Sequence, residues 1–436
     1  MAERHAVVVG AGVIGLCVAR SLLMRGWRVT LVERGEVGEG ASRGNAGWVV
    51  PDWGGPVPGP GVIRETLRSS RDPSAPLAFR PSRRPDDLRW LLDFWRHCNA
   101  ADHVAGRAAT VALGAPSRAL FDRLRAEGVV FEGGETDILY AYLSTDLLER
   151  DLAERATSDS TAGAPGATVP MGGADLRARE PALRDEVVGG YRMTGQRWVR
   201  PETLVAGLLA DVLARGANVL TRTTVTGFDR RGPAVGAVRT TGGTITCDEV
   251  VLCAGVATAR LARMVGVRLP ILAGVGYSLD YAPVPRPIMS TLYLDEARLA
   301  VTPYAGTVRV AGLMDLASPE APIRRDRPGQ IAKATGRYLR DWPADPARAT
   351  APPWTGMRPL TPDGLPAIGR LPDLANLAVA AGHAMLGVTL APVTAEALAD
   401  LLDGGDEASP DVLVPFDPAR FGRRMPPHQR ARIGRP

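Results

Sequence analysis

The chain has 436 residues, 45% hydrophobic and 23% charged, with a formal net charge of +5. This is the make-up of a soluble globular protein long enough for two units around a large shared core, and it excludes a disordered or low-complexity chain. No basic stretch with interleaved aromatics points to nucleic acid, and no run reaches ~18 uninterrupted apolar residues, so no membrane-spanning helix is expected.

In chain order, a short β-branched strand over His5–Val9 runs into Gly10-Ala11-Gly12-Val13-Ile14-Gly15. A helix follows from about Val13 to Arg25, with Gly26 as its C-cap, and then a strand over Trp27–Val32 that ends at Glu33. The apolar stretch Ala6–Met24 is broken by three glycines, so it does not read as a signal peptide. Gly35 to Pro60 is a Gly- and Pro-rich irregular loop of the kind that carries function. Helical periodicity dominates from Pro85 to Glu127, with Leu88, Leu91, Leu92 and Trp95 on one face. Phe131–Leu143 reads as a strand pair, and Pro201–Arg215 as an amphipathic helix with proline at its start. Asn218–Phe228 and Ala237–Thr246 alternate like strands, with Gly242-Gly243 at a hairpin turn. Glu249–Cys253 is a buried strand that runs into Ala254-Gly255. Ile271–Tyr281, Leu292–Thr302 and Thr307–Leu313 suit antiparallel strands of a second layer, followed by a helix over Pro328–Trp342. A short strand over Asn376–Ala380 leads to Gly382-His383 and a long helix from about Thr389 to Leu402.

The expected fold is α/β: a Rossmann-like, glutathione-reductase-like nucleotide-binding unit interleaved with an antiparallel-sheet α+β unit. The first is assigned 1–50, 201–265 and 350–410; the second takes 51–200 and 266–349; residues 411–436 form a C-terminal extension. From Arg420 to Pro436 the tail carries six arginines and no acid, which fits either a solvated terminus or a weak contact with anionic lipid headgroups. Cys17, Cys98, Cys247 and Cys253 form neither a CxxC pair nor a metal spacing. That is the pattern of a reducing compartment, and Cys17 and Cys253 are expected buried.

A Gly-x-Gly-x-x-Gly run alone is weak evidence, but here it follows a strand, opens a helix and lies within about thirty residues of βαβ context. Gly10 permits the tight turn, Gly12 lets backbone approach a pyrophosphate, and Gly15 lets helix and strand pack closely. The helix start presents free N–H groups to phosphate. Glu33 stands where a carboxylate accepts ribose hydroxyls and repels a 2′-phosphate. The motif permits FAD or NAD. The return of strand–Cys253-Ala254-Gly255 and Gly382-His383 after long insertions fits a flavin lying extended across the chain.

With Ser42-Arg-Gly-Asn-Ala-Gly47, Arg89-Trp90 before Trp95, Gly276-Tyr-Ser278, Arg309-Val-Ala-Gly312, Gly356-Met-Arg-Pro359, Thr361-Pro-Asp-Gly364 and Gly382-His383 before Leu386-Gly387, the chain resembles the D-amino-acid oxidase-type flavoproteins. Among these it is most similar to bacterial D-amino-acid dehydrogenases. The resemblance implies non-covalent FAD bound by Gly10, Gly12, Val13, Ile14, Gly15, Glu33 and Arg34. Ser42, Asn45, Ala46 and Gly47 would line the pyrophosphate and flavin ring, and the Val225 backbone would meet the adenine. Ala254 and Gly255 would pass the ribose or pyrophosphate. Gly356, with Gly382, His383, Met385, Leu386, Gly387, Val388 and Thr389, would hold the flavin end.

Arg358 is the candidate for the substrate carboxylate, since arginine offers a planar bidentate cation; the rival is a surface arginine paired to Asp363. Tyr277 would donate a second hydrogen bond to that carboxylate, or else be a half-buried sheet tyrosine, with Tyr293 and Tyr304 as weaker candidates. His383 is read as a catalytic-site residue, either a general base or a group that orients the flavin. Ala384-Met385, Gly195-Gln-Arg-Trp198 and Ala391-Pro392-Val393 depart from the dehydrogenase pattern.

The implied reaction is oxidative deamination of a D-amino acid or cyclic imino acid, with hydride passing from Cα to flavin N5. O2 or a quinone would be the electron acceptor. A glycine-, sarcosine- or hydroxyproline-type amine oxidase and a biosynthetic tailoring flavoenzyme are the alternatives. The expected setting is cytoplasmic, with at most peripheral contact at the inner membrane.

Overall fold

The computed structural model describes residues 4–69, 72–80, 84–156, 166–404 and 411–422. The expected basic tail beyond Gly422 lies outside these residues. A six-stranded sheet runs in the order Ala367–Arg370, Leu377–Ala381, Glu249–Leu252, His5–Val9, Arg28–Val32, Asn218–Leu220. Every neighbour pair is parallel except the edge strand Ala367–Arg370. His5–Val9 lies inside the sheet and is buried along its whole length, because both faces are covered. Ala6 and Val8 join the core under helices Val13–Met24, Pro201–Ala214 and Gly387–Gly404. Val7 and Val9 join the opposite core, under Val225–Arg231, Ala234–Thr240 and helix Thr258–Met264. Gly26, at φ +78, ends the first helix, its N–H donating to the Leu23 carbonyl at 3.0 Å. Cys17 and Cys253 are buried as expected, and burial pushes the Cys17 thiol up to about 12.

The second sheet has ten strands and is mostly antiparallel. Its path is Trp354–Leu360, Leu272–Tyr281, Thr307–Ala317, Leu299–Tyr304, Thr291–Leu294, Gly133–Tyr142, Gly189–Val199, Trp48–Val49. Leu77–Arg80 and Thr168–Gly172 pair off this path. Trp354–Leu360, expected in the nucleotide-binding unit, is instead an outer strand of this sheet. Helices Ala100–Gly114 and Ser117–Ala126, expected in the other unit, send Leu113, Phe121 and Leu124 into the core beneath helix Gly387–Gly404.

Several expected elements divide differently. Phe131–Leu143 is one continuous strand, Gly133–Tyr142, because it has partners on both sides. Leu292–Thr302 folds back on itself around Asp295–Arg298, where Arg298 takes φ +51. Asn218–Phe228 splits, its first part joining the parallel sheet and Val225–Arg231 the small three-stranded one. The helix expected over Pro328–Trp342 is shorter, Arg327–Thr335. Among the described residues no helix is long and apolar enough to cross a membrane.

Candidate active site

Gly10 sits at the carboxyl end of the central strand with φ +107. A Cβ on it would lie 2.6 Å from the Cys253 carbonyl oxygen and 2.9 Å from the Ala254 Cα, so the neighbouring strand delivers Ala254-Gly255 directly over the turn. A Cβ on Gly15 would collide with the Gly10 backbone, which is why helix and strand pack this closely. Ser42 reaches over the helix start, its Oγ accepting the Val13 N–H at 2.9 Å. Among the described residues nothing accepts from the N–H groups of Gly12, Ile14 and Gly15, the free donors of a helix start.

Glu33 is held by two backbone donors, Ala11 N–H at 2.9 Å and Gly35 N–H at 3.0 Å. Its carboxylate is therefore fixed at the sheet edge. The Thr223 N–H donates to the Glu33 carbonyl at 2.8 Å, which brings the segment leading to Val225 alongside. Arg34 is exposed beside it, and a Cβ on Gly255, at φ +55, would meet only open space. The set fits an adenine dinucleotide: a fixed acid for the ribose, unsatisfied N–H groups for the pyrophosphate, and glycines where backbone closes in.

The loop Ser42–Gly47 is shaped by Asn45, whose amide donates to the Ala41 and Ser42 carbonyls and whose Oδ1 accepts the Gly47 N–H at 2.8 Å. Asn45 is thus a loop-builder. Thr302 and Tyr304 each donate to the Ala46 carbonyl at 2.9 Å. The deepest support is Arg309, whose role sequence reasoning missed. It is buried, donates to the Arg43 and Asn45 carbonyls at 3.1 and 3.2 Å, and forks onto Asp280 at 2.7 and 2.8 Å. A further bond reaches Glu202 at 2.7 Å. Burial works against its charge, but the bonds to Asp280 and Glu202 hold its pKa above the ordinary arginine value. The available signal was an arginine set in an apolar strand, Arg309-Val-Ala-Gly312.

At the other end Gly382 takes φ +87, and a Cβ there would lie 2.8 Å from Thr361 Cγ2. His383 is buried and meets Thr394 Oγ1 at 3.1 Å through Nε2. Burial pushes its pKa down to about 3, so the ring is neutral and far too weak a base to take a proton near neutral pH. The general-base reading of His383 is therefore set aside in favour of orientation. The Leu386 N–H donates to the His383 carbonyl at 2.8 Å, and the helix begins at Gly387. The N–H groups of Gly387, Val388 and Thr389 have no acceptor among the described residues. The Thr389 hydroxyl donates to the Trp48 carbonyl at 3.0 Å and accepts the Val50 N–H at 3.2 Å, clamping the helix start to the chain just beyond the Ser42–Gly47 loop. Met385 is exposed, and Leu386 packs with Ala46 against an aromatic cluster.

Arg358 lies on the outer strand Trp354–Leu360, in register Gly276 opposite Gly356 and Gly274 opposite Arg358. A Cβ on Gly276 would collide with its guanidinium. On Gly356 or on Gly44 a Cβ would collide with the Trp354 ring, so both glycines make room for that side chain. Arg358 is half-buried, donates to the Leu313 carbonyl at 2.9 Å and has no acidic partner among the described residues. Asp363, its rival partner from the sequence, is 2.7 Å from Arg420. Burial pushes the Arg358 pKa down to about 10, partly offset by the Tyr293 phenol, so the group stays cationic near neutral pH. The strand is joined to the flavin end by the Ala384 N–H donating to the Pro359 carbonyl at 2.9 Å.

Tyr277 does not join this site. Side chains alternate across a strand, so Tyr277 leaves the sheet on the face opposite Arg358. There its hydroxyl donates to Asp315 at 2.8 Å, and Asp315 accepts from Arg327 Nε at 2.9 Å. Tyr293, the weaker candidate, hydrogen-bonds Arg298, and burial raises its pKa. Its ring meets Trp48 at 6.0 Å and Trp53 at 6.2 Å, both edge-on, and Tyr140 at 5.1 Å. Tyr304 belongs to the loop support instead.

A sequence model of the DAO family, described as FAD dependent oxidoreductase, matches residues 5–401. A D-amino acid dehydrogenase of Cereibacter sphaeroides is 33% identical over 411 residues, covering 91% of each chain. A D-amino-acid oxidase of Bradyrhizobium diazoefficiens is 30% identical over 426 residues, covering 96% of this chain and 99% of its own. Among solved structures, glycine oxidase from Geobacillus kaustophilus superposes with a TM-score of 0.72 at 22% identity, over 97% of this chain and 100% of that one.

Proposed function

Because this chain belongs to the DAO family of FAD dependent oxidoreductases, we propose that it deaminates a D-amino acid or cyclic imino acid oxidatively, with Arg358 holding the α-carboxylate. The observation that carries the reading is Arg358 itself. A half-buried guanidinium with one carbonyl partner and, among the described residues, no acid is costly to keep unless an anion completes it. The Gly276–Gly356 pair supports this, because it leaves room for a flat side chain over the sheet. Tyr293, with Trp48 and Trp53, forms an apolar wall for the substrate side chain.

FAD, when bound, supplies the two-electron acceptor that takes hydride from Cα at N5. We take it as non-covalent. Glu33 selects a free 2′-hydroxyl, Arg309 and Asn45 hold the Ser42–Gly47 loop in shape, and His383 anchors the Gly382–Leu386 turn to the helix through Thr394. No residue beside Arg358 is assigned as a base, so the substrate amine enters neutral, and the imino product hydrolyses in water. The six-stranded sheet with its helices serves as the nucleotide unit, and the ten-stranded sheet carries the substrate side.

The test is anaerobic bleaching of the bound flavin by D- and L-amino acids, prolines and N-methylglycine. Bleaching by the D series or by the prolines supports the reading. FAD-loaded protein that stays oxidised with every member overturns it. Peroxide formation in air, against dye or quinone reduction alone, then assigns the acceptor as O2 or a quinone.

A further inference from the structure

Strand Thr307–Ala317 carries one residue more than its neighbour needs. Against Leu272–Tyr281 it pairs Asp315 with Val275 and Gly312 with Tyr277, so Leu313 and Met314 share a single opposite residue, Gly276. This is a β-bulge, a device that re-aims groups beside sites. Leu313 takes φ +54, a backbone conformation that residues with a side chain rarely adopt. Other non-glycine residues share it among the described residues. Arg222, Arg298, Asp341 and Asp373 are exposed and polar, in turns and bends, and Ala384 lies in the turn before helix Gly387–Gly404. Leu313 is buried, apolar and in mid-strand. Packing holds the strain in place, since its side chain lies in the core that contains Tyr277 and Leu299.

A regular strand spends its carbonyls on the ladder. Here the Met314 N–H donates to the Pro76 carbonyl at 2.8 Å, and the Leu313 carbonyl accepts from Arg358 Nη1 at 2.9 Å. Arg358 stands on the strand beyond Leu272–Tyr281, so its guanidinium lies across Gly276 to make that bond. A Cβ on Gly276 would be 2.1 Å from Nη1. The extra residue, the glycine opposite it and the arginine therefore form one unit. Nε and Nη2 of Arg358 have no acceptor among the described residues, which leaves one edge of the fork for a carboxylate.

We propose that Leu313 is a positioning residue for the substrate carboxylate. Its left-handed backbone turns the carbonyl out of the ladder, and that carbonyl fixes Arg358 by Nη1 with the Nε–Nη2 edge presented to the ligand. Strained residues held by their surroundings gather at such sites, where they pre-organise a ligand-binding group. The inference rests on the reading that Arg358 holds the carboxylate.

The test sets two variants of the full-length FAD-loaded protein against each other. Leu313→Ile keeps the volume of the core but, branched at Cβ, resists φ +54. Leu313→Gly accepts φ +54 but leaves a cavity. The probe is whichever of D-alanine, D-phenylalanine or D-proline bleaches the flavin most readily, beside its carboxamide. The expected result is that Leu313→Ile raises KM roughly tenfold with kcat little changed, and narrows the preference for acid over amide. Leu313→Gly raises KM less, although it melts at the lower temperature. A packing role alone gives the opposite order, with KM following the melting temperature, and that order overturns the proposal. So does an unchanged KM in Leu313→Ile. Should Leu313→Ile not bind FAD, Leu313→Val replaces it, and failure of both makes the left-handed residue a need of the sheet and not of Arg358, which also overturns it. A parent protein that bleaches with none of the three, or equally with acid and amide, instead sinks the Arg358 reading itself.

Discussion

Two arginines flank the strand Leu272–Tyr281, Arg309 on one neighbour and Arg358 on the other, and they are opposite in kind. Arg309 is saturated: two carboxylates and two carbonyls take its protons, and its pKa lies above the ordinary value. Arg358 has one carbonyl and, among the described residues, no acid, and burial pushes it down to about 10. A buried cation whose partners belong to the chain is part of the scaffold. One whose partners are missing marks a place where a ligand supplies the charge.

Removing Arg358 gives the sharpest contrast. Arg358→Ala lowers kcat/KM on the order of a thousandfold for a carboxylate substrate, while FAD remains bound. Stopped-flow flavin reduction and the ratio of flavin to protein absorbance check both halves. Unimpaired reduction would erase the distinction between the two arginines. Arg358→Met should also leave the melting temperature unchanged or higher, because a desolvated charge is relieved.

Arg309→Met should do the reverse. It strands Asp280 and Glu202 and releases the Arg43 and Asn45 carbonyls, costing about 3–5 kcal/mol of stability with loss of FAD affinity. Denaturant unfolding and FAD titration of the stripped protein measure this, and a variant as stable and as avid as the parent would refute the loop-supporting role.

The two tyrosines repeat the contrast on a smaller scale. Tyr277→Phe costs about 1–3 kcal/mol of stability by taking a donor from Asp315, with KM unmoved. Tyr293→Ala, which takes the ring out of the wall with Trp48 and Trp53, raises KM severalfold. Steady-state kinetics beside thermal melts would show whether the roles are in fact exchanged.

The last effect is confined to acid pH. His383 is neutral in the fold, with a pKa near 3 against an unfolded value of about 6.5. The unfolded chain therefore binds a proton that the folded chain refuses. Stability from this group is complete above about pH 6.5 and falls as pH drops towards 3, by at most about 1.4 kcal/mol per unit. His383→Asn flattens that slope, as unfolding curves across the acid range would record.

The nucleotide end was legible because its chemistry is local. Gly10, Gly12, Gly15 and Glu33 lie within one βαβ unit, where short-range geometry dictates which residue fits, and all four stand in a setting suited to a dinucleotide. Arg358 was legible as a residue type in a motif, and its isolation from Asp363 became visible only once Arg420 had taken that acid.

What the sequence by itself determined, then, is the parallel βαβ start and the family it belongs to. The tertiary structure alone decided which face of a strand or helix looks where. Alternation along Leu272–Tyr281 carries Tyr277 away from Arg358, yet the motif around it reads the same for either face. Helix Pro85–His97 offers two apolar sides, and only packing against Leu360 and Leu316 selects Trp90 and Phe94 for burial. Periodicity fixes which side chains share a face; burial depends on neighbours that arrive from far along the chain.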